Sequence, residues 1–141
     1  MKVCPAPEVL IVGDNYVISQ QTARACLKYI AKSGDLPPSA KYLLHSHNSK
    51  IQLSSQEDWK DYAVQLKVLE ARARYAVINL GKFIQKGIPW KDLNMECVSV
   101  SRAHIEVFVL DTFVNTISNI TDSTLHRPLT KLRNLVSLLP V

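Results

Sequence analysis

The chain contains few glycines, cysteines and aromatic residues. Its 141 residues include four glycines and three cysteines, and aromatic side chains make up only 7%. Cys4, Cys26 and Cys97 form no short-range pair, which argues against a disulfide framework and indicates reduced thiols inside a cell. No apolar run approaches the roughly 18–20 residues that a transmembrane helix needs, and residues 1–7 lack the pattern of a secretory signal. We therefore expect one soluble intracellular domain without a membrane span.

The sequence has an excess of positive charge, but this charge is not concentrated anywhere. Lysine and arginine number 17 against 12 aspartates and glutamates, which gives a net charge of +5. Such an excess suits an anionic partner such as a phosphorylated cofactor or a nucleic acid. The basic residues are scattered from Lys2 to Arg133 without a run of three, whereas nucleic-acid-binding proteins cluster them on one face. We expect no nucleic-acid partner.

Stretches without glycine or proline predict the first helices. Residues 15–33 contain neither, and Gly34 follows where a C-terminal cap is expected. One face of this stretch is apolar and the opposite face is polar: Ala23, Leu27 and Ile30 against Gln21, Arg24, Lys28 and Lys32. The prolines at 37–38 predict a loop, and residues 40–44 fit a short helix.

The strongest helical pattern follows residue 54. Ser54 and Glu57 have the Ser-x-x-Glu spacing of a capping box, which predicts a helix start. Apolar residues then recur at steps of three and four, which predicts a long helix packed lengthwise against others: Trp59, Tyr62, Leu66, Leu69, Ala73, Ala76, Leu80 and Phe83. A second apolar row indicates that most of the circumference is buried: Val64, Val68, Ala71, Tyr75 and Ile78. Gly87-Ile88-Pro89 predicts the helix end.

Another long helix is predicted for residues 92–118. Its apolar stripe continues along the whole stretch: Leu93, Cys97, Val100, Ala103, Val107, Leu110, Val114 and Ile117. Residues 107–110 alone also fit a buried strand, but the sustained stripe favours a helix. After a polar connection over 119–127, Pro128 suits the first position of a last helix, whose apolar face holds Leu129, Leu132, Leu135 and Val136. The predicted fold class is all-α, an antiparallel bundle of four to five helices without strands.

Three groups of polar side chains have a chemical interpretation and a more common structural one. His45 and His47 need a further ligand to hold a metal, and none stands at ligand spacing, so we expect a solvated loop and no metal site. His104 lies among apolar neighbours, where packing with a satisfied ring nitrogen is more common than a general base. The acids Glu57, Asp58 and Asp61 suit a helix start better than a catalytic carboxylate pair.

Gly13-Asp14-Asn15 is the motif with the strongest functional interpretation. A glycine and two short polar residues at a helix start present free backbone amides, which can hold an anion or a carbonyl oxygen. A simple helix cap is the more common interpretation of such a motif on physical grounds alone.

This motif is the first of several segments that resemble a known family. Residues 13–17, followed by Gln20-Gln21-Thr22-Ala23-Arg24, resemble the start of the C-terminal helical region of peroxisomal acyl-CoA oxidases. Those enzymes carry Glu-Gly-Asp-Asn-x-Val and a downstream Gln-x-Ala-Arg. Residues 69–73, 100–104 and 129–139 resemble later segments of the family in the same order. The resemblance therefore assigns 13–141 to an incomplete C-terminal-like helical domain and leaves 1–12 as an atypical N-terminal segment.

The resemblance also implies an activity, partners and a location. The family oxidises fatty acyl-CoA to trans-2-enoyl-CoA in β-oxidation, passing electrons through FAD to oxygen and producing hydrogen peroxide. It implies FAD contacts from Gly13, Asp14 and Asn15, a homodimer or association with oxidase subunits, and the peroxisome. The chain ends in Pro140-Val141 and not in a Ser-Lys-Leu address, so the cytoplasm is the alternative location.

One position departs from the family in a way that bears on catalysis. The family's mechanism uses a Glu directly before Gly-Asp-Asn to remove the proton α to the thioester carbonyl, and here that position is Val12. Glu8 lies four residues upstream, and nothing indicates that it substitutes. We also expect the family's substrate-binding domains to be missing, and hence no activity in the isolated chain. The alternatives are a freestanding helical protein–protein interaction module, favoured by the apolar seam from Trp59 to Phe83, and an antagonist that enters oxidase dimers.

Overall fold

The computed structural model describes residues 15–32, 36–45 and 55–138, without the side chains of 15, 56, 123 and 136–138. These ranges contain four α-helices: α1 (Asn15–Ala31), α2 (Tyr62–Gln85), α3 (Asn94–Ser118) and α4 (Ser123–Leu138). Three 3₁₀ helices lie between them: Pro38–Leu44, Gln56–Lys60 and Trp90–Asp92. No strand occurs in these ranges, which confirms the all-α prediction. None of these helices is long and apolar enough to cross a membrane.

The helices α1, α2 and α3 pack side by side with alternating direction. Tyr62 at the start of α2 donates a hydrogen bond to Asp111 late in α3 at 2.9 Å. Further along α2, Arg72 pairs with Glu106 at 2.6 Å, so these two helices are antiparallel. Gln20 early in α1 bonds to Asn94, the first residue of α3, at 2.6 Å. Hence α1 and α3 start at the same end of the bundle, as up-down-up connections require.

The apolar stripe predicted on α3 forms the centre of the core. Seven of its members are buried: Leu93, Cys97, Val100, Ala103, Val107, Leu110 and Ile117. Val114 is half-buried. Residues 107–110 are helical, so the strand interpretation is wrong there. The helix begins at Asn94 and not at Asp92, which lies in the preceding 3₁₀ helix.

The predicted faces of α1 agree with the structure. Ala23 is fully buried, and Leu27 and Ile30 pack partly buried against the core. The polar face is exposed: Gln21, Arg24, Lys28 and Lys32. The predicted helix end at Ser33 and the cap at Gly34 lie outside the described residues, and α1 is described to Ala31. The predicted short helix at 40–44 is part of a 3₁₀ helix that buries Ala40, Tyr42 and Leu43.

The start of the long helix differs from the prediction. Asp61 has an extended backbone and its carboxylate accepts a hydrogen bond from the Ala63 backbone N–H at 2.9 Å, so α2 begins at Tyr62. The preceding capping box is formed by Ser55 and Asp58, one residue later than predicted, and it caps only a 3₁₀ helix. The predicted Ser54 lies outside the described residues. Trp59 is therefore not part of the α2 seam.

The burial of α2 is narrower than the two apolar rows predicted. Tyr75, a member of the second row, is 65% exposed. The buried positions instead include Gln65 and Val77, which neither row contained. A helix that packs on α1 and α3 from one side keeps an open outer face, and Tyr75 lies on it. At the other end, Gly87 has φ 81° and the helix stops as predicted.

The last helix begins five residues before the predicted start. The Asp122 carboxylate accepts hydrogen bonds from the Thr124 backbone N–H at 2.9 Å and from the Thr124 hydroxyl at 2.6 Å. This interaction caps α4, and Pro128 lies inside the helix rather than at its first position. Leu132 and Leu135 are about half exposed, so the predicted apolar face of this helix is only partly covered.

Candidate functional site

The motif singled out by the sequence lies at the N-terminal end of α1. Asn15 is the first helical residue, whereas Val12, Gly13 and Asp14 lie outside the described residues. The first turn of a helix presents backbone N–H groups without intrahelical partners and the positive end of the helix dipole. Tyr16 and Val17 in this turn are more than half exposed. The described part of the motif is therefore at the surface of the bundle.

A polar contact holds this end of α1 against the connection between α2 and α3. The Trp90 indole N–H donates to Oε1 of Gln20 at 3.2 Å, and Nε2 of Gln20 donates to Oδ1 of Asn94 at 2.6 Å. One turn further along α1, the Arg24 guanidinium lies over the Trp90 ring at 4.8 Å from its centroid, in a cation–π contact. We call Gln20, Arg24, Trp90 and Asn94 the α1 clasp. Gln20 and Arg24 belong to the segment that carried the family resemblance.

His104 is engaged in packing rather than poised as a base. Its Nδ1 is 2.8 Å from the hydroxyl of Tyr42, and the two rings stack with centroids 5.9 Å apart. Burial lowers the pKa of His104 and raises the pKa of Tyr42 well above its ordinary value. Nearby Cys26 and Glu70 raise the pKa of Tyr42 further. Tyr42 therefore stays protonated and donates, and neutral His104 accepts.

The lowered pKa of His104 makes stability depend on pH. Well above pH 6.5, the ordinary pKa, His104 is neutral both folded and unfolded. As the pH falls through 6.5, the unfolded chain binds a proton that the folded chain resists, so the free energy of unfolding falls until the lower folded pKa is reached. The slope from this group is at most about 1.4 kcal/mol per pH unit.

Urea unfolding of the wild type and of His104→Gln, at pH 7.5 and pH 5.5, measures this contribution. Glutamine does not titrate and its Oε1 can still accept from the Tyr42 hydroxyl. The wild type should lose more stability than the variant over this interval. Equal losses would show that His104 does not contribute.

The acidic residues near the start of α2 have structural partners. Asp58 and Asp61 accept capping hydrogen bonds, and Glu57 pairs with Lys60 at 2.7 Å. His45 is exposed, and His47 lies outside the described residues. Among the described residues, no group of three or more His, Cys, Asp or Glu side chains could hold a metal ion.

Two buried side-chain oxygens in the described ranges have no hydrogen-bond partner, one in a carboxylate and one in an amide. One is Oε1 of Glu106, whose other oxygen pairs with Arg72, and burial raises the pKa of this carboxyl. The other is Oε1 of Gln65, whose Nε2 donates to the Trp59 carbonyl at 2.6 Å and to Asn134 at 3.3 Å. No sequence pattern indicated either residue, because their burial depends on helix packing.

Two surface clefts lie away from the α1 clasp. One, of about 280 Å³, lies between the outer faces of α2 and α3 and includes Tyr75, Asn79 and Glu96. The other, of about 430 Å³, includes Tyr42 and His45. Neither is lined by a described residue of α1, and Gly13 and Asp14 lie outside the described residues.

Comparisons with known proteins agree with the helical architecture. A family model described as acyl-CoA oxidase matches residues 61–140. Peroxisomal acyl-coenzyme A oxidase 1 of Arabidopsis thaliana is 30% identical over 118 residues, covering 77% of this chain and 18% of the relative. The putative peroxisomal acyl-coenzyme A oxidase 1.2 of the same plant has the same identity and coverage.

A solved structure shares the fold. Acyl-CoA oxidase 1 of Arabidopsis thaliana superposes with a TM-score of 0.74 and 24% identity, over 93% of this chain and 21% of that one. The chain thus spans about a fifth of the length of the relatives that it matches. Because the family model covers more than half of the residues, the chain belongs to the acyl-CoA oxidase family.

Proposed function

We propose that this chain forms the C-terminal helical part of a flavin-dependent acyl-CoA oxidase, with residues 13–141 as that domain and 1–12 as a divergent segment. The reaction of such an enzyme converts acyl-CoA and oxygen to trans-2-enoyl-CoA and hydrogen peroxide in fatty-acid β-oxidation. Family membership and the superposition on an oxidase structure support this proposal. The names of the curated relatives support a peroxisomal location.

The proposed role of Gly13, Asp14 and Asn15 is to contact FAD. The exposed first turn of α1 supports this role, because the first backbone N–H groups of a helix have no partner within the helix and suit a carbonyl or phosphate oxygen. FAD, when bound, would accept the hydride from the β-carbon of the acyl-CoA. The chain's own contribution is to bind and orient this cofactor through backbone donors.

Proton abstraction is the step that this chain does not supply. A base for the α-proton needs a titratable group, and a desolvated carboxylate fits because burial raises its pKa towards neutrality. Val12 occupies the position at which the resemblance places this carboxylate, and a valine side chain cannot accept a proton. We therefore propose that the 141-residue polypeptide has no oxidase activity.

A peroxide assay tests this proposal. The chain is incubated with FAD and palmitoyl-CoA, and hydrogen peroxide is followed against a reaction without protein. Both the wild type and Val12→Glu should remain at background, because a restored base still lacks the four-fifths of the oxidase that this chain does not span. Turnover by either protein at the rate of a complete oxidase would contradict the proposal.

An interaction module is the second candidate, and the surface of α4 favours it. Leu125, Leu132 and Leu135 are each about half exposed and share one side of this helix. Such a side suits association with another polypeptide, including an oxidase subunit or a second copy of the chain. A cooperatively folded monomer that binds neither FAD nor an oxidase subunit would favour a freestanding module. Co-purification with an intact subunit would favour an antagonist or a subunit.

A further inference from the structure

Polar side chains attach α4 to the rest of the bundle. The Asn134 side chain accepts a hydrogen bond from Nε2 of Gln65 in α2 at 3.3 Å, and Arg133 donates to the Lys60 carbonyl at 3.0 Å. Arg133 and Asn134 are both partly buried, whereas no residue of α4 with a described side chain is fully buried. The side of α4 that faces the bundle is therefore largely polar.

The outer side of α4 carries an apolar row. Leu125, Leu132 and Leu135 are 47%, 48% and 59% exposed, and Pro128 is exposed between them. Successive members are three or four residues apart, so they lie in line along the helix. We call these four residues the α4 strip. A helix of a soluble bundle usually turns its apolar stripe to the core, so the reversed placement indicates a partner on the outer side.

The charges beside the α4 strip are all positive. Residues 123–138 contain three basic side chains and no acidic one. Two of them, Arg127 and Lys131, are exposed, and neither forms an ion pair with a described residue. They lie one helical turn apart beside the strip. An apolar row flanked by basic residues is complementary to a lipid surface, where negative headgroups cover acyl chains.

We propose that α4 binds the surface of an anionic lipid bilayer. The helix lies parallel to the surface, with the α4 strip at the acyl chains and with Arg127 and Lys131 at the headgroup phosphates. This inference is independent of the proposed flavin contact. A flat partner suits the strip, because neither described cleft includes a residue of α4. A second copy suits it less, because α4 has no acidic residue to pair with the basic residues of another α4.

Co-sedimentation of the full chain with lipid vesicles is the first measurement. The wild type should bind vesicles made of equal parts phosphatidylcholine and phosphatidylserine, and it should bind phosphatidylcholine vesicles much more weakly. Added salt should weaken binding, because it screens the attraction between basic side chains and headgroups. No binding to either kind of vesicle, or equal binding to both, would overturn the proposal.

The second measurement removes the basic flank of the strip. Arg127→Gln combined with Lys131→Gln should lower the partition coefficient on phosphatidylserine vesicles about thirtyfold, since each basic residue at an anionic surface contributes about fivefold. The matched control, Lys28→Gln with Lys32→Gln, removes the same charge from exposed positions in and next to α1. It should weaken binding by less than about threefold. Equal weakening by the two pairs would show attraction to net charge alone and would contradict binding through α4.

The third measurement removes the apolar contact. Leu132→Gln combined with Leu135→Gln should weaken vesicle binding at least about tenfold, because two leucines no longer enter the acyl region. Tyr75→Gln with Met95→Gln is the matched control, since these residues are 65% and 67% exposed on other helices. It should bind like the wild type. Circular dichroism checks the helical content of each variant.

Sedimentation velocity without lipid tests the competing occupant of the strip. The wild type should be monomeric, and the leucine pair should not change this. A wild-type dimer that the leucine pair converts to a monomer, together with no vesicle binding, would assign the α4 strip to a second copy and overturn the proposal.

Discussion

Replacing Tyr42 with alanine is expected to lower the free energy of unfolding by about 4 kcal/mol. The side chain is only 4% exposed, and it attaches the 3₁₀ helix Pro38–Leu44 to the bundle. The substitution leaves a cavity beside the His104 ring and removes the hydroxyl that donates to Nδ1 of His104 at 2.8 Å. Urea or thermal unfolding followed by circular dichroism measures the loss.

Tyr75→Ala provides the matched control for this prediction. The substitution is chemically the same, but Tyr75 is on the open side of α2 with 65% of its surface exposed. Its removal should change the free energy of unfolding by less than about 0.5 kcal/mol. Similar losses for the two variants would contradict the placement of residues 36–45 against α3.

Leu80→Ala is expected to cost about 3 kcal/mol, the second largest effect. Leu80 is fully buried in α2 and belongs to the core cluster with Leu43, Leu93 and Val100. Its truncation removes apolar contacts and leaves a space that the surrounding helices fill only in part. The same unfolding experiment measures the difference from the wild type.

Leu135→Ala is the corresponding control on α4. Leu135 is 59% exposed, so its truncation removes little buried surface and should cost less than about 1 kcal/mol in the isolated chain. If Leu135→Ala were as destabilising as Leu80→Ala, the outer face of α4 would be covered in solution. That result would favour self-association through this face.

The helices of the central core could be predicted from the sequence because their signals are local. The α3 stripe needs only its own 3.6-residue periodicity, and seven of its eight predicted positions are buried. The end of α2 depends on Gly87, because glycine adopts a positive φ without the steric cost that a side chain would add. The all-α fold class follows from the same periodicity.

The helix starts were less predictable because competing caps lie close together. Ser54, Ser55, Asp58 and Asp61 can each begin a helix, and only packing decides that α2 starts after Asp61. In α4, the capping interaction of Asp122 outweighs the preference of Pro128 for a first position. The exposure of Tyr75 likewise depends on packing, because it is set by which face of α2 contacts α1 and α3.

The contacts that organise the site cannot be found by periodicity. Tyr42 and His104 are separated by 62 positions, and Gln20 and Asn94 by 74. The resemblance marked Gln20 and Arg24 as family residues but could not show that both meet Trp90. Their contacts with Trp90 depend on how the α2–α3 connection packs against α1, which the local sequence does not determine.

We propose that these helices lie behind a flavin site whose catalytic base is replaced at Val12. Two chimeras test this directly. In each, this chain replaces the stretch of the Arabidopsis oxidase that superposes on it. One chimera carries Val12 and the other carries Val12→Glu. Both chimeras should bind FAD, and peroxide production from palmitoyl-CoA should be at least about a hundredfold faster with glutamate. Equal peroxide production by the two chimeras, with FAD bound in both, would contradict the proposal that position 12 holds the catalytic base.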